Sequence, residues 1–136
     1  MKRLSLICCL LLAVSFYTSC LEAKEAATEV KLVSADEMQA ILELEDVQLV
    51  DVRTSKEFDE SHILNAQNID FNSPTFDDDI EKLDKAKPVI LYCKGGGRSA
   101  KCAEKLKDAG FKKIYDLEGG ISKWQHSDKL KIERKS

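Results

Sequence analysis

Short apolar runs alternate along this chain with stretches whose apolar positions recur every three or four residues. Val30 to Val33, Val47 to Val52, Pro88 to Tyr92 and Lys113 to Leu117 read as strands, and Gln67 to Asp70 as a weaker one. The second is almost unbroken in apolar residues, as a strand covered on both faces should be. Ser34-Ala35-Asp36-Glu37 is a capping box and predicts a helix with Met38, Ile41 and Leu42 on its buried face. Thr54-Ser55-Lys56-Glu57 is a second box opening a short helix. A third helix is predicted from Ser73-Pro74 to about Leu83, with proline in its first turn and Asp77, Asp78 and Asp79 near its positive end. A fourth runs from Arg98 to a stop at Gly110, a natural C′ residue. Gly119-Gly120 lead into a last one carrying Trp124. Strands alternating with helices predict an α/β domain built on a parallel sheet.

The first residues break this pattern. Lys2 and Arg3 precede an uncharged, mostly apolar stretch, Leu4 to Phe16, of about 13 residues, which suits an export signal and is too short to span a bilayer. Tyr17-Thr18-Ser19-Cys20 resembles the bacterial lipoprotein signal, whose cysteine is acylated. Residues 1–19 are therefore expected to be a signal peptide and Cys20 a lipid-bearing N-terminus; an ordinary secretory cut, near Ala23, is the alternative. The protein is then expected outside the cytoplasm, in a periplasm, attached to a membrane only through that lipid. Residues 20–28 read as a tether, 29–126 as one domain and 127–136 as a frayed surface tail.

Composition narrows the possibilities. The 136 residues suit one domain, with 43% hydrophobic and 33% charged positions and a net charge of −3. Losing Lys2 and Arg3 leaves 19 basic residues against 24 acidic ones, a net −5. Nothing in that balance points to nucleic acid. Of the five cysteines, Cys8 and Cys9 fall in the signal and Cys20 at its end. Cys93 and Cys102 alone belong to the domain, which is no disulfide framework and matches no zinc spacing.

Cys93 is the residue to explain. The run Val89-Ile90-Leu91-Tyr92-Cys93-Lys94-Gly95-Gly96-Gly97-Arg98-Ser99 places it at the carboxyl end of a strand, before a helix N-terminus, where open α/β sheets bind ligands. Glycines let the loop turn several N–H groups toward one centre, and the helix dipole and the charges of Lys94 and Arg98 favour an anion there. Such surroundings lower a thiol pKa from ~8.5 toward ~3.5–7.5. The plainer alternative is a tight turn around an inert thiol. Cys102, one turn into the helix, reads as a small core residue, with a resolving thiol as the sharper option. Asp51 and Arg53 end the second strand and would face the same rim as Cys93; they read as residues that fix the loop, with a part in catalysis as the alternative.

Cys93-x4-Arg98-Ser99 after its strand resembles the active-site loop of the rhodanese (thiosulfate sulfurtransferase) family. Leu49-Val50-Asp51-Val52-Arg53-Thr54, Glu57 to Ile69 and Leu117-Glu118-Gly119-Gly120 through Trp124 resemble three further family segments in the same order. Ser61 stands where the family usually has glycine, and Leu64-Asn65 where it has Pro-Gly. The resemblance implies a three-layer α/β/α rhodanese-like domain with a five-stranded parallel sheet. It also implies a Cys93 nucleophile that takes sulfane sulfur from a donor such as thiosulfate and passes it to a thiol or cyanide. Lys94, Gly95, Gly96, Gly97 and Arg98 would cradle the substrate, supported by Asp51, Arg53 and Ser99. No metal or organic cofactor is expected, and the domain is expected to be a monomer. The resemblance places His62 in a packing turn away from the sulfur.

Three other readings compete. Fold-related phosphatases and arsenate reductases carry Cys-x5-Arg, one residue longer to admit a tetrahedral oxyanion; here four residues intervene. A persulfide carrier with little turnover of its own, and an inactive interaction module, are the remaining two.

Overall fold

The computed structural model describes residues 27–136. The expected signal segment and Cys20 lie outside the described residues. Thr28, at the end of the expected tether, is docked on the domain, its Oγ1 donating to the Phe111 carbonyl at 2.8 Å.

The elements in chain order are β1 (Val30–Val33), α1 (Ala35–Leu44), β2 (Gln48–Asp51), α2 (Ser55–Glu60), β3 (Ser61–Ile63), β4 (Gln67–Asn68), α3 (Phe76–Ile80), β5 (Val89–Tyr92), α4 (Gly97–Asp108), β6 (Ile114–Leu117), α5 (Gly120–Trp124) and β7 (Ile132–Arg134). Five strands form one parallel sheet in the order β1-β6-β5-β2-β4. Both predicted capping boxes form: Ser34 with Glu37, and Thr54 with Glu57, exchange side-chain and backbone bonds.

The sheet is covered on both faces. One face packs Val50, Leu91 and Ile114 against Phe76 and Ile80 of α3 and Cys102, Ala103 and Leu106 of α4. The other packs Leu49, Ile90, Tyr92 and Leu117 against Ala35 and Met38 of α1, Ile121 of α5, Ile63 and Leu130. This is the expected three-layer α/β/α architecture. β5 is wholly buried at its centre, so a residue just past its carboxyl end is held by a rigid frame.

Two expectations are corrected. The helix expected from residue 73 to about 83 is helical only over Phe76–Ile80. Ser73 and Thr75 spend their side chains on local turn bonds before it, and after it Lys82 and Leu83 bond three residues back, to Asp79 and Ile80. Such tight turns end an α-helix. The expected frayed tail is instead structured: β7 pairs antiparallel with β3, and Leu130 is only 6% exposed. An apolar residue every second position, Leu130 and Ile132, seats this strand on the core.

The two departures near residue 61 are absorbed locally. Ser61 has φ −167°, extended backbone that any residue adopts. Asn65 has φ +65°, and asparagine tolerates that left-handed region better than most residues.

Candidate active site

β5 delivers Cys93 to the mouth of α4. Gly96, with φ +108°, is the left-handed N-cap residue that turns the loop into the helix. This curl brings the Gly96 N–H to 3.0 Å from Cys93 Sγ, and the Ser99 Oγ to 3.5 Å. The sulfur is nearly enclosed, Cys93 being 1% exposed. Burial pushes the thiol up, but hydrogen bonds from the Ser99 hydroxyl and from the N–H groups of Ser99, Gly96 and Gly95 outweigh it and hold the thiol below its ordinary value. Cys102 is the opposite case: with no such donors, burial pushes it up to about 12, as befits an inert core thiol.

The backbone beneath the sulfur is gripped from behind. The Ile121 and Ser122 N–H groups, free donors at the start of α5, bond the Cys93 and Lys94 carbonyls at 2.9 and 3.0 Å. This approach needs Gly120: a Cβ there would lie 2.4 Å from the Lys94 carbonyl oxygen.

Arg98 does not point a free charge at the loop. It makes two bonds to Glu57, at 2.8 and 3.1 Å, and this pairing holds the Glu57 carboxyl down at about 2. Lys94 is exposed and has no ion-pair partner among the described residues. With Arg53, Glu57, Glu60, Ser61 and Ser122 it lines a small cavity of about 170 Å³ beside the loop.

Asp51 and Arg53 pair with each other rather than with the loop. Asp51 is wholly buried and Arg53 is 5% exposed; their shortest contact is 2.6 Å. Arg53 also donates to the Ser61 carbonyl and lies over the Tyr92 ring, so the pair ties β2 to β3 and β5. Asn68, which the sequence reading passed over, caps the carbonyls of Asp51 and Arg53. His62 stacks on Phe58 and bonds Glu133 of β7, a packing role. Trp124 is partly buried and donates to the Glu118 carbonyl.

Glu57 is a site residue that the sequence showed only as a helix-capping residue. Gly120 was visible as one of two glycines after Glu118 in a loop bordering the pocket, but not as the point where the α5 backbone meets the Cys93 loop.

Residues 34–127 match the rhodanese-like domain family, and the chain belongs to it. It is similar to the thiosulfate sulfurtransferase GlpE of Coxiella burnetii, 35% identical over 95 residues covering 70% of this chain and 87% of the relative. It is also 35% identical over 105 residues to the tRNA uridine(34) hydroxylase of Hamiltonella defensa, covering 73% of this chain but only 29% of that protein. Among solved structures it resembles a rhodanese-like domain protein from Staphylococcus aureus, with a TM-score of 0.66 and 34% identity over 78% of this chain and 99% of the other.

Proposed function

We propose that this protein is a sulfurtransferase that carries sulfane sulfur on Cys93. The observation that carries the reading is the thiol itself: one buried sulfur facing converging N–H donors, held below its ordinary pKa. The Cys93 thiolate attacks the outer sulfur of thiosulfate. The sulfur–sulfur bond of the donor breaks and sulfite leaves with its electron pair. The terminal sulfur of the resulting persulfide takes up the anionic charge, and the N–H groups of Gly95, Gly96 and Ser99 stabilise it as an oxyanion hole would. A thiol or cyanide then attacks that sulfur and restores the thiolate, a double displacement that predicts ping-pong kinetics. Lys94, at the exposed rim, is the group placed to meet an anionic donor. Arg98 braces the loop through Glu57.

The tight enclosure of Cys93 also favours a second reading, a carrier that shields its persulfide and yields it to a partner protein. The two readings differ in turnover with small acceptors. Export and a Cys20 lipid anchor belong to the same proposal, supported by the pattern of residues 1–20, and membrane fractionation tests them.

The deciding experiment is intact-mass spectrometry of the reduced protein after exposure to thiosulfate, beside Cys93→Ser. The expected result is a gain of one sulfur atom, removed by cyanide and absent from the variant. A folded, reduced protein that gains no sulfur from thiosulfate, polysulfide or a small persulfide would overturn the reading.

A further inference from the structure

The small cavity beside the Cys93 loop is lined by engaged groups and by free ones. Arg53 pairs with the buried Asp51, and Glu57 holds Arg98. The Lys94 ammonium, the Glu60 carboxylate, the Ser122 hydroxyl and the Gln125 side-chain amide line it too, and none of these four has a hydrogen-bond or ion-pair partner among the described residues. The cavity adjoins the support of the sulfur. Lys94 follows Cys93 directly, and the α5 wall is bonded to the Cys93 and Lys94 carbonyls through the N–H groups of Ile121 and Ser122. Its volume of about 170 Å³ lies below the ~300 Å³ at which sites for drug-sized ligands begin, so it fits a small molecule and not a peptide.

Lys94 suits thiosulfate, and Glu60 does not. A free carboxylate in the same cavity repels a dianionic donor and gives the loading step nothing. It matches a positive group instead. In a double displacement the sulfite has left before the acceptor enters, so Lys94 is vacant for the acceptor in its turn. A free cation and a free anion lining one small cavity complement a ligand that carries one charge of each sign. The Ser122 hydroxyl and the Gln125 amide can each donate to a carboxylate or accept from an ammonium.

We propose that this cavity is the acceptor subsite and takes a small zwitterionic thiol, an α-amino acid with a thiol side chain, its carboxylate at Lys94 and its ammonium at Glu60. The assignment deepens the sulfurtransferase reading of Cys93 and rests on it. The acceptor sulfur attacks the terminal sulfur of the Cys93 persulfide and forms a new sulfur–sulfur bond. The bond to Cys93 Sγ breaks, and Cys93 leaves as the thiolate with the electron pair. The thiol proton of the acceptor ends on the transferred sulfur, and the product is the persulfide of the amino acid.

Charge-trimmed acceptors test it, because the intrinsic reactivity of a thiol cancels when its rate is compared between wild type and variant. Wild type, Glu60→Gln and Lys94→Gln are first loaded with sulfur from polysulfide, and mass spectrometry then follows loss of that sulfur in the acceptor step alone. With L-cysteine both variants should be slower by about three- to fivefold, the scale of one exposed ion contact. Cysteamine, which keeps only the ammonium, should lose mainly in Glu60→Gln. Mercaptopropionate, which keeps only the carboxylate, should lose mainly in Lys94→Gln. Equal losses for the two trimmed thiols, or no loss with L-cysteine, would overturn the subsite and leave the sulfurtransferase reading standing. L-Serine, the same zwitterion without a thiol, separates the site from the chemistry. Titrated into the reduced wild type, it should shift the backbone amide signals of Lys94 and Ser122 saturably in magnetic resonance spectra, and bind more weakly to both variants; unmoved signals would overturn the site. Should L-serine bind in this way while no donor loads sulfur on Cys93, the functional proposal fails and the zwitterion site stands.

Discussion

Glu57 accepts from both terminal nitrogens of Arg98, and the same carboxylate caps α2 through Thr54. One side chain thus joins the helix after β2 to the loop after β5. The loop arginine is held by a residue forty-one positions earlier in the chain.

The pair makes an acid-limb prediction. Glu57 falls from an ordinary 4.5 to about 2, chiefly through Arg98. Its contribution is therefore fully present above pH 4.5 and is lost as pH falls through about 2. With both side chains about a quarter exposed, solvent screening leaves roughly 1–2 kcal/mol. Glu57→Gln should lower stability by about that much at pH 7 in denaturant titrations, and the two proteins should converge between pH 4.5 and pH 2.

The glycines should separate into two classes. Gly120→Ala would drive a Cβ into the Cys93 and Lys94 backbone from a left-handed conformation, which costs roughly 2–4 kcal/mol and should abolish Cys93 reactivity. Gly95→Ala meets nothing within 4 Å and needs no left-handed backbone, so its melting temperature should move little. Thermal melts with alkylation kinetics distinguish the two.

Gly96→Ala should act on the sulfur itself. Its φ of +108° strains any side chain by roughly 1–3 kcal/mol, and relief of that strain would carry its N–H away from Sγ. The alkylation midpoint of Cys93 should rise. An unchanged midpoint would deny that amide its role.

The buried Asp51–Arg53 pair predicts asymmetry between single and double changes. Asp51→Asn strands a guanidinium that is 5% exposed and should cost about 3–5 kcal/mol, whereas replacing both partners by apolar residues should cost far less. Equal losses in chemical denaturation would contradict this.

Removal of residues 130–136 should destabilise the domain by about 3 kcal/mol, from Leu130 burial and the loss of the β3–β7 ribbon. A free tail would change stability by less than ~0.5 kcal/mol. Calorimetry of the shortened protein decides.

What could be read from sequence followed from how local each signal is. The capping boxes declared themselves within four residues, and the strand, glycine loop and helix around Cys93 within eleven. The β3–β7 ribbon joins Ser61–Ile63 to Ile132–Arg134, and neither three-residue piece carries a pattern of its own. Arg98 read as a cation for the donor and as a brace of the loop, but its partner stayed unread because Glu57 already had a local task in a capping box. Asp51 and Arg53 read as residues that would fix the loop; Arg53 borders the cavity beside it, but its pairing with the buried Asp51 and its bond to the Ser61 carbonyl depend on a turn whose shape the intervening residues do not announce.

The amides of α5 on the Cys93 and Lys94 carbonyls have a consequence for motion. The Cys93 and Lys94 backbone is bonded from below and α4 is packed on the core, which leaves Gly95 and Gly96, between the two, as the least anchored part of the loop backbone. The Ile121 and Ser122 amides should exchange with solvent deuterium at the pace of cooperative unfolding, and that of Gly95 orders of magnitude faster. Cys93 is only 1% exposed, so approach to its sulfur should depend on the give of the glycine backbone above it rather than on any shift of the sheet beneath.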